Sequence, residues 1–363
     1  MGNVQLITDC EGPLALNNFA FELCRDFITP GGSRFFAQVS RFDQYQADVA
    51  HQPNYRAGDA LKLILPFLKA AGLTNARLAE YAEKTVRLVP DAQAVYRFLH
   101  QQGFPVFAVS TGYRPFAEAV GKSLGFIPDR IFCTDLDLDR YKLAPAETER
   151  LKALKDEIAG MPELVFSAQA KTTDDLAEEA QQVLARLEGI FGEIIPEMDI
   201  GRMYQEVNGV GGPEKAKAIT ESLAQTGLTM AEIMYIGDDD TDLEAFKAVR
   251  TGGGVSLSFN GNRFAVNAAE FMVIANNAWP VALLTAIFQR WGKDGLLELA
   301  TSSQAGHEKI VAIPEAVIEP IIRGLQNRNF SYYPAQGPDK EKLIHESAAM
   351  RARLQGEAIA AQG

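Results

Sequence analysis

Short apolar runs that stop abruptly at polar clusters recur along the chain, separated by stretches with helical spacing. The runs at residues 4–8, 105–109, 131–133, 233–236, 255–257 and 271–274 are of strand length and largely apolar, the pattern of strands buried on both faces. Strands alternating with helical segments predict an α/β fold, a doubly wound parallel sheet of Rossmann-like type. Residues 17–88 show helical spacing and no convincing strand, as at Leu61, Ile64, Leu65 and Leu68. Residues 146–204 repeat this, with Leu176, Ala180, Val183, Leu184 and Leu187 on one face and Thr172 as a candidate cap. The expected organisation is a core of residues 1–16, 89–145 and 205–290, a helical cap at 17–88, a helical insertion at 146–204 and a C-terminal helical extension at 291–363. In that extension Ile318, Ile321, Ile322 and Leu325 form an apolar stripe. From Asp339 onward the helix is too polar to bury a full face, and residues 356–363 are expected to fray.

The strand ends carry the candidate chemistry. The first run closes in Asp9-Cys10-Glu11-Gly12-Pro13; strand alternation sends Asp9 and Glu11 to one side, and Gly12 allows a turn that brings backbone amides to an anion. Alone, this acidic pair is equally an ordinary solvated turn. The second run ends in Ser110-Thr111-Gly112, which sets two hydroxyls at another strand tip. Gly211-Gly212-Pro213-Glu214-Lys215 reads as a loop entering a helix, with Pro213 in its first turn and Ala218, Ile219 and Leu223 on its apolar face. The fourth cluster, Gly237 to Asp242 (Gly-Asp-Asp-Asp-Thr-Asp), follows a buried strand pattern and opens a helix with Leu243, Phe246 and Val249 in register. Strand ends of one polarity are where open α/β sheets bind ligands.

Acid, hydroxyl, lysine and acid in this order resemble the four signature motifs of the haloacid dehalogenase (HAD) superfamily, with Asp9, Ser110, Lys215, Asp238 and Asp242 as the matching positions. Residues 254–260 resemble the corresponding region of phosphoserine phosphatase-like members, which implies that Asn260 lies close to a phosphate. The wording of residues 9–21, 61–68 and 256–262 further resembles a methanogen subfamily named for subunit R of energy-converting hydrogenase A. The resemblance implies a HAD-like core with a helical cap and a Mg2+-dependent phosphatase or phosphotransferase acting on a small phosphorylated metabolite. In that reading Asp9 is the nucleophile forming an aspartyl-phosphate and Glu11 the general acid and base. Mg2+ is held by Asp9, Asp238 and the Glu11 carbonyl, with Asp242 nearby orienting a metal-bound water or Lys215. Phosphate is held by Lys215, Ser110, Thr111, Gly12 and Asn260.

This sequence departs from the superfamily pattern twice. Glu11 stands where an Asp is usual, a substitution also found in relatives that pass phosphate to an alcohol, so transfer competes with hydrolysis. Pro13 has no amide hydrogen, which leaves Glu11 and Gly12 to supply amides. A regulatory or assembly protein on a HAD scaffold, associated with a larger complex, is the alternative. Hydrolytic dehalogenation would leave Asp238 and Asp242 without a purpose and repelling one another.

Composition narrows the field. A chain of 363 residues, 47% apolar, can build an elaborated packed core, and a net charge of −12 disfavours nucleic acid and anionic membranes as partners. No signal-peptide core precedes Asp9 and the apolar stretch at 281–288 is too short to span a bilayer, so a cytoplasmic location is expected. Cys10, Cys24 and Cys133 lack metal or disulfide spacing, and His51, His100, His307 and His345 form no ligand pattern. The glycine runs at 209–212 and 252–254 read as turns, and Asp135, Asp137 and Asp139 as a solvated strand exit. Asn18, Phe19, Arg34, Arg41 and Arg56 are the cap residues taken to face the site. Oligomeric state and substrate identity are not legible.

Overall fold

A computed structural model describes residues 3–50, 55, 58–166, 172–302, 308–326, 328, 330–337 and 339–356. Arg56, His51, His307 and residues 357–363, the greater part of the segment expected to fray, lie outside the described residues.

Seven strands form one sheet: β1 (Gln5–Asp9), β2 (Val106–Tyr113), β3 (Ile131–Thr134), β4 (Ile233–Gly237), β5 (Val255–Phe259), β6 (Phe271–Ala275) and β7 (Phe330–Pro334). Their order is β3-β2-β1-β4-β5-β6-β7. β1 to β6 are parallel, so the doubly wound sheet expected from alternating apolar runs is present. β1, β4, β5 and β6 are buried along their whole length. Helices on both faces remove every side chain from water, which is why these strands read as continuous apolar runs.

The C-terminal extension is not purely helical, contrary to expectation. β7 pairs antiparallel with β6, Tyr332 opposite Val273 and Phe330 opposite Ala275. Its half-buried side chains blunt the period-2 signal, and Pro334 is tolerated because the outer edge of an edge strand has no ladder partner. β7 caps an edge that would otherwise be open.

The helical segments between β1 and β2 and between β3 and β4 pack on each other. Phe191 lies 5.4 Å from Phe42 and 6.3 Å from Phe67, which in turn lies 4.7 Å from Phe35 (ring centroids). Gln38 closes the seam, donating to the Pro162 carbonyl (2.6 Å) and accepting from the Leu164 amide (2.9 Å). The second segment's helix, Glu178–Gly189, buries Ala180, Val183, Leu184 and Leu187 as its spacing predicts. Thr172 caps not this helix but the short turn Thr173–Asp175 before it, where its amide and hydroxyl donate to Asp175. Among the described residues no helix is long and apolar enough to cross a membrane.

Candidate active site

β1 is the switch point of the sheet, with β2 on one side and β4 on the other, and a crevice opens beyond the strand ends at such a point. Asp9 is the last residue of β1, and Asp238 follows the last residue of β4. The two strands are paired, Thr8 opposite Ile236, so the two carboxylates arrive side by side. Lys215 comes from the third residue of the helix Pro213–Thr226, whose Pro213 sits at the first turn where no amide donor is needed.

One buried network joins them. The Lys215 Nζ donates to Asp9 Oδ2 (2.6 Å), Asp242 Oδ1 (2.7 Å) and Thr241 Oγ1 (2.7 Å), so the ammonium's three donors are engaged. Asp242 Oδ1 also accepts from the Tyr235 hydroxyl (2.7 Å), and Oδ2 from the amides of Asp238 (2.8 Å) and Asp239 (3.3 Å). Asp9 Oδ1 accepts from the Cys10 amide (2.6 Å). Asp238 Oδ2 pairs with Arg351 Nη1 at 2.9 Å. Asp238 Oδ1 is buried with no partner.

Glycine makes this packing possible at two points. Gly12 has φ +90°, and a Cβ on it would lie 2.2 Å from Asp238 Cγ; at Gly237 a Cβ would lie 2.3 Å from Asp242 Oδ2. The carboxylates rest on the bare backbone where any side chain would displace them.

Burial governs the ionisation. It pushes the carboxyl groups of Asp9 and Asp238 well above the usual carboxylate range, opposed by the charge of Lys215 at Asp9 and of Arg351 at Asp238. Burial works against the Lys215 ammonium, but Asp242 and Asp9 outweigh it and hold the charged form. Glu11 is pushed up to about 8 by burial, partly offset by the Phe19 amide that donates to its Oε1 (2.6 Å). Glu11 is therefore set to hold a proton at neutral pH.

Those expected site residues that are described have definite places. Asp9, Glu11, Thr111 and Asp238 line a cavity of about 420 Å³, which Asn18 and Arg41 of the helical layer also line. Asp9, Asp238 and Asp242 each offer an oxygen within 4.8 Å of the others. Both Asp242 oxygens already accept two hydrogen bonds, which suits it to fixing Lys215 better than to holding an ion.

Other residues differ from expectation. Ser110 is fully buried and its Oγ accepts from the Gly112 amide (3.1 Å); Thr111 reaches the cavity in its stead, with an Oγ1 that has no partner. Lys215 lies behind Asp9, fully buried, and grips that carboxylate where a direct hold on phosphate was expected. The Gly12 amide donates to the Ala15 carbonyl (2.7 Å) and is not available to an anion. Asn260 does not point to the cavity, because its side chain donates to the Ala275 carbonyl (2.8 Å) and accepts from the Ala275 amide (2.9 Å). It is a clamp between strand ends, with φ +49°. Phe19 stacks on Phe116 at 4.5 Å and Arg34 donates to the Met161 carbonyl (3.4 Å), and neither lines the cavity.

Arg351 and Asp43 line the cavity without a signal that motif reading could use. Arg351 lies in a helix whose apolar residues are too few to mark a full face, and the only cue is the stripe of residues 343, 347 and 351 at helical spacing. Asp43 lies in the amphipathic helix Gly32–Asp48 and shows its role only through the fold. It accepts from the Tyr55 hydroxyl (2.8 Å) and the amides of Gly58 (3.1 Å) and Ala60 (2.9 Å).

The seven-stranded, mostly parallel sheet with its helical insertions matches a haloacid dehalogenase-like Rossmannoid fold. Residues 145–283 match the family model described as haloacid dehalogenase-like hydrolase, a span that includes Lys215, Asp238 and Asp242. Among solved structures the chain is similar to the gene product AF1437 of Archaeoglobus fulgidus, at 27% identity over 98% of both chains with a TM-score of 0.77. Two phosphoserine phosphatase structures align at 14% identity. One, a phospho-aspartyl intermediate analogue, covers 74% of this chain and 92% of its own with a TM-score of 0.43. The other, a substrate complex, covers 75% and 93% with a TM-score of 0.44. No curated protein matches the chain.

Proposed function

We propose that the chain is a Mg2+-dependent phosphomonoester hydrolase or phosphotransferase acting on a small phosphorylated metabolite through an aspartyl-phosphate on Asp9. The observation that carries this reading is the lone uncommitted oxygen of the buried cluster, Asp238 Oδ1, in a group where Asp9, Asp238 and Asp242 each offer an oxygen within 4.8 Å of the others. A buried carboxylate oxygen without a donor is costly, and an oxygen-only donor set of this kind fits a hard divalent cation. Asp9 and Asp238 would hold the ion, which when bound would neutralise the anionic oxygens of nucleophile and phosphate.

The residues then divide the work. Lys215 keeps Asp9 Oδ2 fixed, and the Cys10 amide keeps Oδ1 fixed, so the nucleophile is oriented before substrate arrives. An Asp9 oxygen attacks phosphorus, the bond from phosphorus to the ester oxygen breaks, and the Glu11 proton goes to the departing alkoxide. Glu11 then takes a proton from water, or from an acceptor alcohol, as that oxygen attacks phosphorus; the bond to Asp9 breaks and the carboxylate is restored. Burial, which raises the Glu11 carboxyl, favours the protonated form that the first step needs. Thr111 lines the cavity and its hydroxyl has no partner; it would serve as a donor to a phosphate oxygen, the role expected of Ser110.

The test is turnover of generic phosphate esters with Mg2+ by purified protein, with Asp9→Asn expected to lose about 10³-fold or more of kcat/KM. Beryllofluoride with Mg2+ should trap on wild-type Asp9 as an acyl-phosphate mimic and fail on the variant. Trapping without turnover on a broad ester panel would replace catalysis with phosphate sensing on the same scaffold.

A further inference from the structure

The C-terminal helix Lys340–Gln355 is polar along most of its length, yet it buries Leu343, Ile344, Ser347, Arg351 and Gln355. Its first turns pack apolar side chains on a small cluster that includes Val266, Met272 and Ile274. Beyond that its buried contacts are polar, and Arg351 reaches the site. The Ser347 hydroxyl donates to the Gly261 carbonyl (2.7 Å), and Arg351 Nη1 donates to the Asp238 carbonyl (3.1 Å) and pairs with its Oδ2 (2.9 Å). Arg351 Nε donates to Gln355 Oε1 (3.1 Å), one turn on.

We infer that Arg351 is a positioning residue for Asp238: it fixes this carboxylate so that Oδ1 alone is presented to a cation, and thereby makes cation binding and docking of the C-terminal helix support one another. The inference rests on the reading of Asp9 and Asp238 as ion ligands.

Two roles are open to a guanidinium beside a ligand carboxylate. As a rival it would replace the cation's charge and cover the oxygen the cation needs. As an orienter it would take the other oxygen. The geometry favours the second, because one nitrogen holds Oδ2 and the main-chain oxygen of the same residue, while Oδ1 keeps no partner. Holding a side-chain oxygen and the residue's own carbonyl together fixes the Asp238 side-chain torsions. The Asn262 amide donates to the same carbonyl (2.8 Å), and the bare backbone of Gly12 leaves room for the carboxylate where it stands. Groups behind a metal ligand that fix its orientation typically change affinity by about 10–100-fold. Reciprocity then requires a bound cation to stabilise the docked helix by the same factor.

The experiment is titration of full-length protein with Mn2+, followed by the electron paramagnetic resonance signal of the free ion, with hydrogen exchange of residues 340–355 measured with and without saturating Mg2+. Arg351→Met is expected to weaken Mn2+ binding by about 10–100-fold and to abolish the slowing of exchange that Mg2+ causes in wild type. Arg351→Lys, which keeps charge but loses the planar fork, should fall between, and it serves alone if the Met variant does not fold. Ser347→Ala, which loses a docking bond to the Gly261 carbonyl but keeps the guanidinium on Asp238, should weaken Mn2+ binding less than Arg351→Met does. Unchanged or tighter binding in Arg351→Met, or an equal loss in Ser347→Ala, overturns the inference and leaves the ion site standing. Absence of Mn2+ binding in wild type overturns both.

Discussion

Two groups of residues meet at Asp238, and they differ in how they are built. On the sheet side, Asp9, Lys215, Asp242 and Tyr235 form a closed network in which every hydrogen bond runs between fully or nearly fully buried atoms. On the helix side, Arg351 reaches the same carboxylate from a segment fastened by one apolar cluster and a polar stripe. The first network is held from all directions by strand ends and by helices that begin beside them. The second depends on one helix staying docked. A charge network surrounded by the core fails only with the fold, whereas one anchored to a terminal helix can be lost while the sheet remains intact.

The largest expected effect tests the closed side. Lys215→Met would leave Asp9 and Asp242 buried without their cation, and losing one partner of a buried pair costs about 3–5 kcal/mol. Urea unfolding should show that loss as a shift in midpoint with an unchanged slope. A loss below 1 kcal/mol would mean that the carboxylates simply take up protons, and that the network is looser than its 2.6–2.7 Å contacts imply. Gly12→Ala comes next. The added methyl would meet Asp238 Cγ at 2.2 Å in a backbone with φ +90°, and the strained conformation alone costs roughly 1–3 kcal/mol. Mn2+ affinity should fall together with stability in this variant. Lost stability with affinity intact would show that Asp238 can move aside and still bind.

The same contrast explains what the sequence disclosed. Asp9 and Asp238 each sit where an apolar run meets a turn, so one stretch of chain announces both the residue and its position at a strand end, and Lys215 is announced by the glycine–proline start of its helix. Ser110 and Thr111 are adjacent at such a junction, and the choice between them was not legible. β2 shifts register beyond Ser110, and it is Thr111 that lines the cavity while Ser110 is buried. Asn260 is ambiguous for a related reason: an Asn after a strand reads as a loop ligand, and only the fold shows β6 supplying Ala275 to bond with it. β7 was missed because its pairing depends on β6, and Arg351 because its partner lies 113 positions away. Long-range pairing leaves no local period to read.

The remaining expected effect concerns a third anchoring point, where the helical layer meets the site. Burial pushes the Asp43 carboxyl up to about 7 from an ordinary 3.8, against the hydrogen bonds from Tyr55, Gly58 and Ala60. Between those values the folded chain keeps a proton that the unfolded chain has released, so Asp43's contribution is complete below pH 4 and is lost as pH rises toward 7. Wild type should therefore lose stability over this window relative to Asp43→Asn, whose side chain does not titrate, and the difference between the two should level off above 7. Thermal unfolding at matched ionic strength measures it. A difference that stays flat from pH 4 to 7 would show that the carboxylate is ionised throughout, with the hydroxyl of Tyr55 and the two amides compensating its burial. The helical layer would then be pinned by charge-assisted hydrogen bonds, as the sheet side is, and the contrast between a closed site and a dependent one would narrow to the single helix that carries Arg351.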